Sequence, residues 1–193
     1  YMMEIAAGWA ELRWNMTGQT DISQVMSGMF SGILLFAMVS LKEELAIRGY
    51  GYHMLRGKCG EGASIILTSL VFSMLHLLNP GFSWIPMLNT FIVGILFCLL
   101  VYRHGGLWVV LGAHFSWNYT LGYIFSVPVS GIPIQGLAAL KQKGPDIFTG
   151  GAYGTEGGLL CTIVLLAVIG YCLVKVRAAS AGRWATTSSH HRR

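Results

Sequence analysis

The chain has 193 residues, 54% of them hydrophobic and only 11% charged, with a mean hydropathy of +0.59. A soluble globular domain carries about 25% charged residues, so there are too few charges to coat a water-facing surface, and lipid is the expected solvent. The formal charge of +5 does not indicate nucleic acid, because the basic residues lie scattered between apolar runs rather than gathered on one face.

The N-terminal stretch, 1–21, is polar and acidic, with Glu4, Glu11 and Asp21 against Arg13. It has no basic region ahead of an apolar core, which excludes a signal peptide. It opens on Tyr1 rather than methionine, as a fragment lacking upstream helices would. Asn15-Met16-Thr17 matches a glycosylation pattern that matters only in a eukaryotic secretory pathway.

Crossing a bilayer takes about 20 apolar residues in a helix, and five segments come near that length. The first is apolar from Ile22 to Leu41 and is expected to continue as helix past Lys42 to Tyr52. The second runs from Ala63 to Leu78 and stops at the breaker Asn79-Pro80-Gly81. The third spans Trp84 to Tyr102, with Pro86 in its first turn, where proline is tolerated. The fourth covers Leu107 to Val127 and the fifth Leu159 to Val174. The expected fold is therefore all-α, a polytopic transmembrane helix bundle of about five spans occupying 22–176, followed by a basic cytoplasmic tail, 177–193.

Loop charges orient this bundle. Arg48, Arg56 and Lys58 follow the first span, Arg103 and His104 the third, and Lys175, Arg177, Arg183, Arg192 and Arg193 the fifth. An alternating path puts all three groups on one side, expected to be the cytoplasm by the positive-inside rule. The N-terminal stretch and the Pro128 to Gly158 loop fall on the other side. Lys141 and Lys143 in that loop weaken the contrast without reversing it.

The loop holds Gly150, Gly151, Gly154, Gly157 and Gly158. A phosphate cradle would need a preceding strand and a helix-opening Lys-Ser/Thr, so a tight surface loop is expected. Gly28 and Gly32 are spaced for close helix packing. Cys59, Cys98, Cys161 and Cys172 form no CxxC pair and are expected to be small buried hydrophobes. Ser188 to Arg193 is expected to be a disordered tail, with His190 and His191 solvated rather than ligating metal.

Ionisable groups inside spans are costly and are functional candidates by default. Three clusters qualify: Glu43-Glu44-Leu45-Ala46-Ile47-Arg48, Phe72-Ser73-Met74-Leu75-His76, and His114-Phe115-Ser116-Trp117-Asn118. Glu44 and Arg48 share a helix face at i, i+4, as do His114 and Asn118. At 1.5 Å per residue, Glu43, His114 and His76 lie about 15, 12 and 20 Å from the cytoplasmic ends of their helices. One depth band thus holds all three. A solvated acidic cap or a packed histidine would explain any one cluster, but not three on three helices.

The ordered set Glu43-Glu44-x-x-x-Arg48, Phe72-x-x-x-His76 and His114-x-x-x-Asn118 resembles the signature of the CAAX protease and bacteriocin-processing family of intramembrane endopeptidases. The flanks Arg48-Gly49 and Arg103-His104-Gly105-Gly106-Leu107-Trp108 also resemble it. Ile47 departs from it, since the family often has an aromatic there, and the family usually has six to eight spans. The resemblance implies hydrolysis of membrane-associated proteins or peptides, CAAX-type or bacteriocin/leader-type, with type II CAAX prenyl endopeptidases as the similar group. It does not identify the substrate.

Peptide hydrolysis needs an activated water, a stabilised oxyanion and a proton for the leaving amine. Glu43 is expected to be the general base, strengthened by a dry cavity. His76 is expected to hold and polarise the water, His114 and Asn118 to form the oxyanion hole, and Glu44 with Arg48 to orient the site. The resemblance implies the same roles. No cofactor is required in this reading. A zinc version would use Glu43 or Glu44, His76 and His114 as ligands, with one open position, although no HExxH is present. Ser73 and Ser116 lack an evident base. Two other classes compete: a transporter using the buried charges as an ion relay, which lacks visible inverted repeats, and a non-catalytic immunity or scaffold protein of the same fold. The expected partners are the bilayer and a membrane-associated peptide, in a prokaryotic plasma membrane with the site facing the cytoplasm.

Overall fold

The computed structural model of the chain describes residues 2–15 and 21–190, with side chains as far as Lys175. A short helix α1 (Met2–Ala6) and a strand β1 (Ala10–Trp14) precede the first long helix, α2 (Ile22–Glu44). Asp21 caps α2, its carboxylate accepting the Ser23 N–H at 2.9 Å and so satisfying a donor that the helix itself leaves unpaired. Without a break, α2 passes into a π-helical segment, Leu45–Tyr52, and then into α3 (His53–Met74).

Gly60 divides α3. Its φ of 81° and ψ of 174° are non-helical, a conformation that a side chain would strain. The chain reverses there, so that Glu61–Met74 runs back beside the π-helical segment. Tyr52 donates its hydroxyl to the Glu61 carboxylate, and Arg56 pairs with the same group at 2.6 Å, stapling the turn. The breaker at Asn79-Pro80-Gly81 leads into α4 (Trp84–His104), which ends on left-handed Gly105. Next come α5 (Trp108–Tyr119), a π-helical turn at Thr120–Ile124, strand β2 (Ala138–Gln142), the short α6 (Asp146–Thr149) and α7 (Leu159–His190). The Ile22–Met74 run, interrupted at Gly60, and Trp84–His104 are long and apolar enough to cross a membrane, and Leu159–Lys175 is a shorter apolar helix.

The polarity of the bundle is inverted relative to a water-soluble domain. Phe30, Leu34 and Met38 stand exposed on α2, while Ser64, Thr68, Ser69, Ser73 and Asn89 are buried between helices. These interior hydroxyls bond to backbone carbonyls: Thr68 donates to the Ser64 carbonyl, Ser69 to that of Ile65 and Ser73 to that of Met87, all at 2.7 Å. Such small residues let backbones approach closely. A Cβ on Gly94 of α4 would come within 2.9 Å of Ser69. Gly28 and Gly32 behave as their spacing predicted, since a Cβ on either would press on the Tyr123 ring. Trp84 and Trp108, at the starts of α4 and α5, are exposed, as interfacial tryptophans are.

Several expectations change. The fold is mostly helical but includes an antiparallel ribbon, β1 against β2, with Leu12 opposite Leu140. The ribbon ties the N-terminal stretch to the long loop, which places the two on the same side of the bundle. That loop is no simple surface loop: Val129, Ala138, Leu140, Thr149, Tyr153 and Thr155 in it are buried. Its glycines are steric, because a Cβ on Gly150 (φ 88°) would lie 1.8 Å from the Gly154 carbonyl oxygen. Arg48, counted among loop cations, is fully buried. Cys98, Cys161 and Cys172 are buried as expected, but Cys59 is exposed. Backbone helix continues through Ser188 to His190, where a disordered tail was expected. Met16, Thr17, His191 and the His190 side chain lie outside the described structure.

Candidate active site

The π-helical segment sets the geometry of the first cluster. Wider winding directly after Glu44 brings Arg48 back beneath that residue, and both side chains are sealed from solvent. Arg48 donates an N–H to Glu44 Oε1 at 3.0 Å and another to the Gly94 carbonyl at 3.3 Å. Its guanidinium lies 4.2 Å from the Phe72 ring centre and 5.2 Å from that of Phe97. Two aromatic faces and a carboxylate thus replace water around a buried cation. This accounts for phenylalanine one turn before His76: its ring is the floor on which Arg48 rests.

Glu44 Oε1 also accepts from His114 Nδ1 at 2.8 Å. Across a sequence separation of 70 residues, that contact fixes the imidazole of α5 against the end of α2. The other ring nitrogen, Nε2, stands 3.9 Å from Glu43 Oε2, too far for a direct hydrogen bond. His76 is held differently. Its Nδ1 lies 2.8 Å from the Phe72 carbonyl, which can only accept, so Nδ1 carries the proton and the neutral ring keeps a lone pair at Nε2.

Glu43, His76, His114 and Asn118 all line one cavity of about 600 Å³. Glu44 and Arg48 lie behind it, buried and paired. All six residues singled out from the sequence are therefore brought together, four at the cavity wall and two in support. Ser73 and Ser116 are not at this wall, and their hydroxyls bond to the carbonyls of Met87 and Ala113.

The cavity's far wall comes from the long loop, through Val129, Ser130, Ile132 and Ile134. Ser130 has a φ of 50°, uncommon for a residue with a side chain. Glu156 holds it there: its carboxylate accepts the Ser130 N–H at 2.5 Å and the Trp117 indole N–H at 2.7 Å. Asn79 adds a hydrogen bond to the Ser130 carbonyl at 2.9 Å, and Asn89 binds the Glu156 carbonyl at 2.7 Å. None of Glu156, Asn89, Asn79, Phe97 or Gly94 is among the residues the sequence singles out. The available signal was a lone carboxylate in an otherwise neutral glycine-rich segment.

Among the described residues, no three His, Cys, Asp or Glu side chains are grouped so as to hold a metal ion. Glu44 is committed to Arg48 and to His114 Nδ1, so a zinc version would draw on Glu43 and on Nε2 of His76 and of His114, residues that line the cavity.

Fold and site together define a helix bundle with an apolar exterior and an enclosed carboxylate–imidazole cluster. Residues 25–120 match the family model described as type II CAAX prenyl endopeptidase Rce1-like. The matched segment runs from α2 to the end of α5 and contains all six site residues. The chain belongs to this family of CAAX-processing membrane proteases. It is accordingly an integral membrane protein, and membership supports proteolysis as its general activity. No curated protein and no solved structure matches the chain.

Proposed function

We propose that the chain is an intramembrane endopeptidase that hydrolyses a CAAX-type peptide bond with a water activated by Glu43 and His76. The observation that carries this reading is the single cavity shared by Glu43, His76, His114 and Asn118, with Glu44 and Arg48 sealed behind it. In this mechanism Glu43 takes a proton from the water while His76 Nε2 accepts its second O–H, and the oxygen adds to the scissile carbonyl carbon. Asn118 and His114 donate to the resulting oxyanion. The imidazole can donate from Nε2 as well as Nδ1 only when doubly protonated; with Glu43 neutral once it holds the proton, the oxyanion and the Glu44 carboxylate then balance the imidazolium and the Arg48 guanidinium. As the C–N bond breaks, the proton held by Glu43 passes to the leaving amine, which returns the carboxylate to its starting state.

Five spans and a prokaryotic plasma membrane complete the proposal; because the long loop walls the cavity, a cytoplasm-facing site requires that loop on the cytoplasmic side, the reverse of the orientation expected from the loop charges. The ribbon joining the N-terminal stretch to the long loop supports the topology, because it requires both on one side. Peptide cleavage by the purified full-length protein in detergent, with and without a strong chelator, tests the mechanism. Unchanged turnover supports a metal-free glutamate protease. Turnover lost on chelation and restored by zinc favours the metalloprotease. A folded protein that cleaves neither prenylated nor leader-type peptides returns the immunity or scaffold role.

A further inference from the structure

Resting on the CAAX-type reading, we propose that Lys42 is a specificity-determining residue that binds the free C-terminal carboxylate of the substrate. Lys42 precedes Glu43 on α2 and lines the same cavity as Glu43, His76, His114 and Asn118. It is exposed, and among the described residues it enters no ion pair. Arg48, the nearest alternative cation in sequence, is already occupied by Glu44 and the Gly94 carbonyl and does not reach the cavity wall.

Apart from the site residues and from Asn79 and Ser130, the rest of the lining is apolar. Leu35, Val39 and Lys42 follow one another at spacings of four and three on α2, so they form one stripe, with Phe36 beside it and Ile132 and Ile134 across the cavity. An ammonium in such a stripe, at the depth of the general base, is costly until an anion meets it. A CAAX peptide supplies that anion. Its cysteine is fourth from the end, so the terminal carboxylate lies three residues beyond, about 10 Å along an extended chain. A cavity of about 600 Å³ accommodates that length. The two aliphatic residues before the terminus would lie along Leu35, Phe36, Val39 and the two isoleucines, with the carboxylate at Lys42. An internal leader-type site offers no charge at that distance, so Lys42 would select chain ends over internal bonds.

The test uses the full-length protein in phosphatidylcholine vesicles, with a farnesylated CAAX peptide made as the free acid and as the C-terminal amide. The expected kcat/KM ratio of acid to amide is about tenfold, carried in KM, as a hydrogen bond to a charged group implies. In Lys42→Met the ratio falls to about one, and Lys42→Arg retains most of it. Equal cleavage of acid and amide by the wild type overturns the proposal, as does a ratio that persists in Lys42→Met. If the wild type cleaves neither peptide, the protease reading falls and binding of the two peptides decides the carboxylate site. Tighter binding of the acid, lost in Lys42→Met, keeps it; equal binding removes it.

Discussion

Glu44 and Arg48 show how a buried ion pair is made tolerable without water. One oxygen of Glu44 serves both Arg48 and His114, while Phe72 and Phe97 cover the guanidinium faces. Glu44 Oε2 and Arg48 Nε have no hydrogen-bond partner, so the pair contributes orientation more than net stability. Removing one member is a different matter, because it strands the other charge. Arg48→Met is expected to destabilise the protein by about 3–5 kcal/mol, measured by denaturant unfolding in detergent, and to reduce activity by leaving the Glu44 carboxylate that holds His114 without its cation. The double change Arg48→Met with Glu44→Gln should recover part of the stability and none of the activity. Glu156 acts further from the chemistry. Glu156→Ala removes three accepted hydrogen bonds, from the Ser130 N–H and hydroxyl and the Trp117 indole, and a loss of about 1–3 kcal/mol is expected, with a rise in KM as the Ser130 wall loosens.

At the scale of elements, the π-helical segment and Gly60 do the positioning. Gly94 allows α4 to meet Ser69 of α3, and its carbonyl receives Arg48. Gly94→Leu is therefore expected to reduce folded yield and activity together, through overpacking. The ribbon has its own pH dependence. Lys143 and then Arg13 hold the Glu11 carboxyl below its ordinary range. The contribution of Glu11 is thus present above the unfolded pKa and lost as pH falls through the depressed folded value. Burial acts oppositely on Glu4, raising its pKa against an opposing hydrogen bond from Gln142. Ionised Glu4 then costs stability once pH rises above the ordinary carboxylate range. Amide exchange in β1 and β2 should slow as pH rises through the range where Glu11 ionises, once corrected for intrinsic exchange. Glu11→Gln should flatten that component, whereas Glu4→Gln should slow exchange at neutral pH.

Over the whole molecule, what was legible in the sequence was what one helix or one span records locally. Apolar runs located the long helices, and the spacings Glu44 to Arg48 and His114 to Asn118 identified shared faces. The exception to lipid exclusion, an ionisable group within a span, singled out Glu43, His76 and His114, which line one cavity, although His76 lies in the turn just beyond α3 rather than on a helix. What was not legible depends on non-local partners or on unusual winding. No periodicity signals that helix after Glu44 widens to bury Arg48, so in the sequence its charge reads as a loop cation. Neither does polarity show that Glu156 and the glycine-rich segment fold inward to form a cavity wall. The ribbon leaves no sequence signal because Ala10–Trp14 and Ala138–Gln142 are short, of mixed character and far apart in sequence.

The central claim is that Glu43 activates the hydrolytic water, and it rests most directly on one substitution. Cleavage of a farnesylated CAAX peptide by the wild-type protein and by Glu43→Gln should be compared in the same detergent, with folding of both checked by thermal unfolding. The amide keeps the side chain's size and removes its ability to accept a proton. The account predicts cleavage by the wild type and a loss of at least about 100-fold in kcat for the variant, in the range by which general bases contribute, with peptide binding retained. A folded Glu43→Gln that cleaves at the wild-type rate would contradict it.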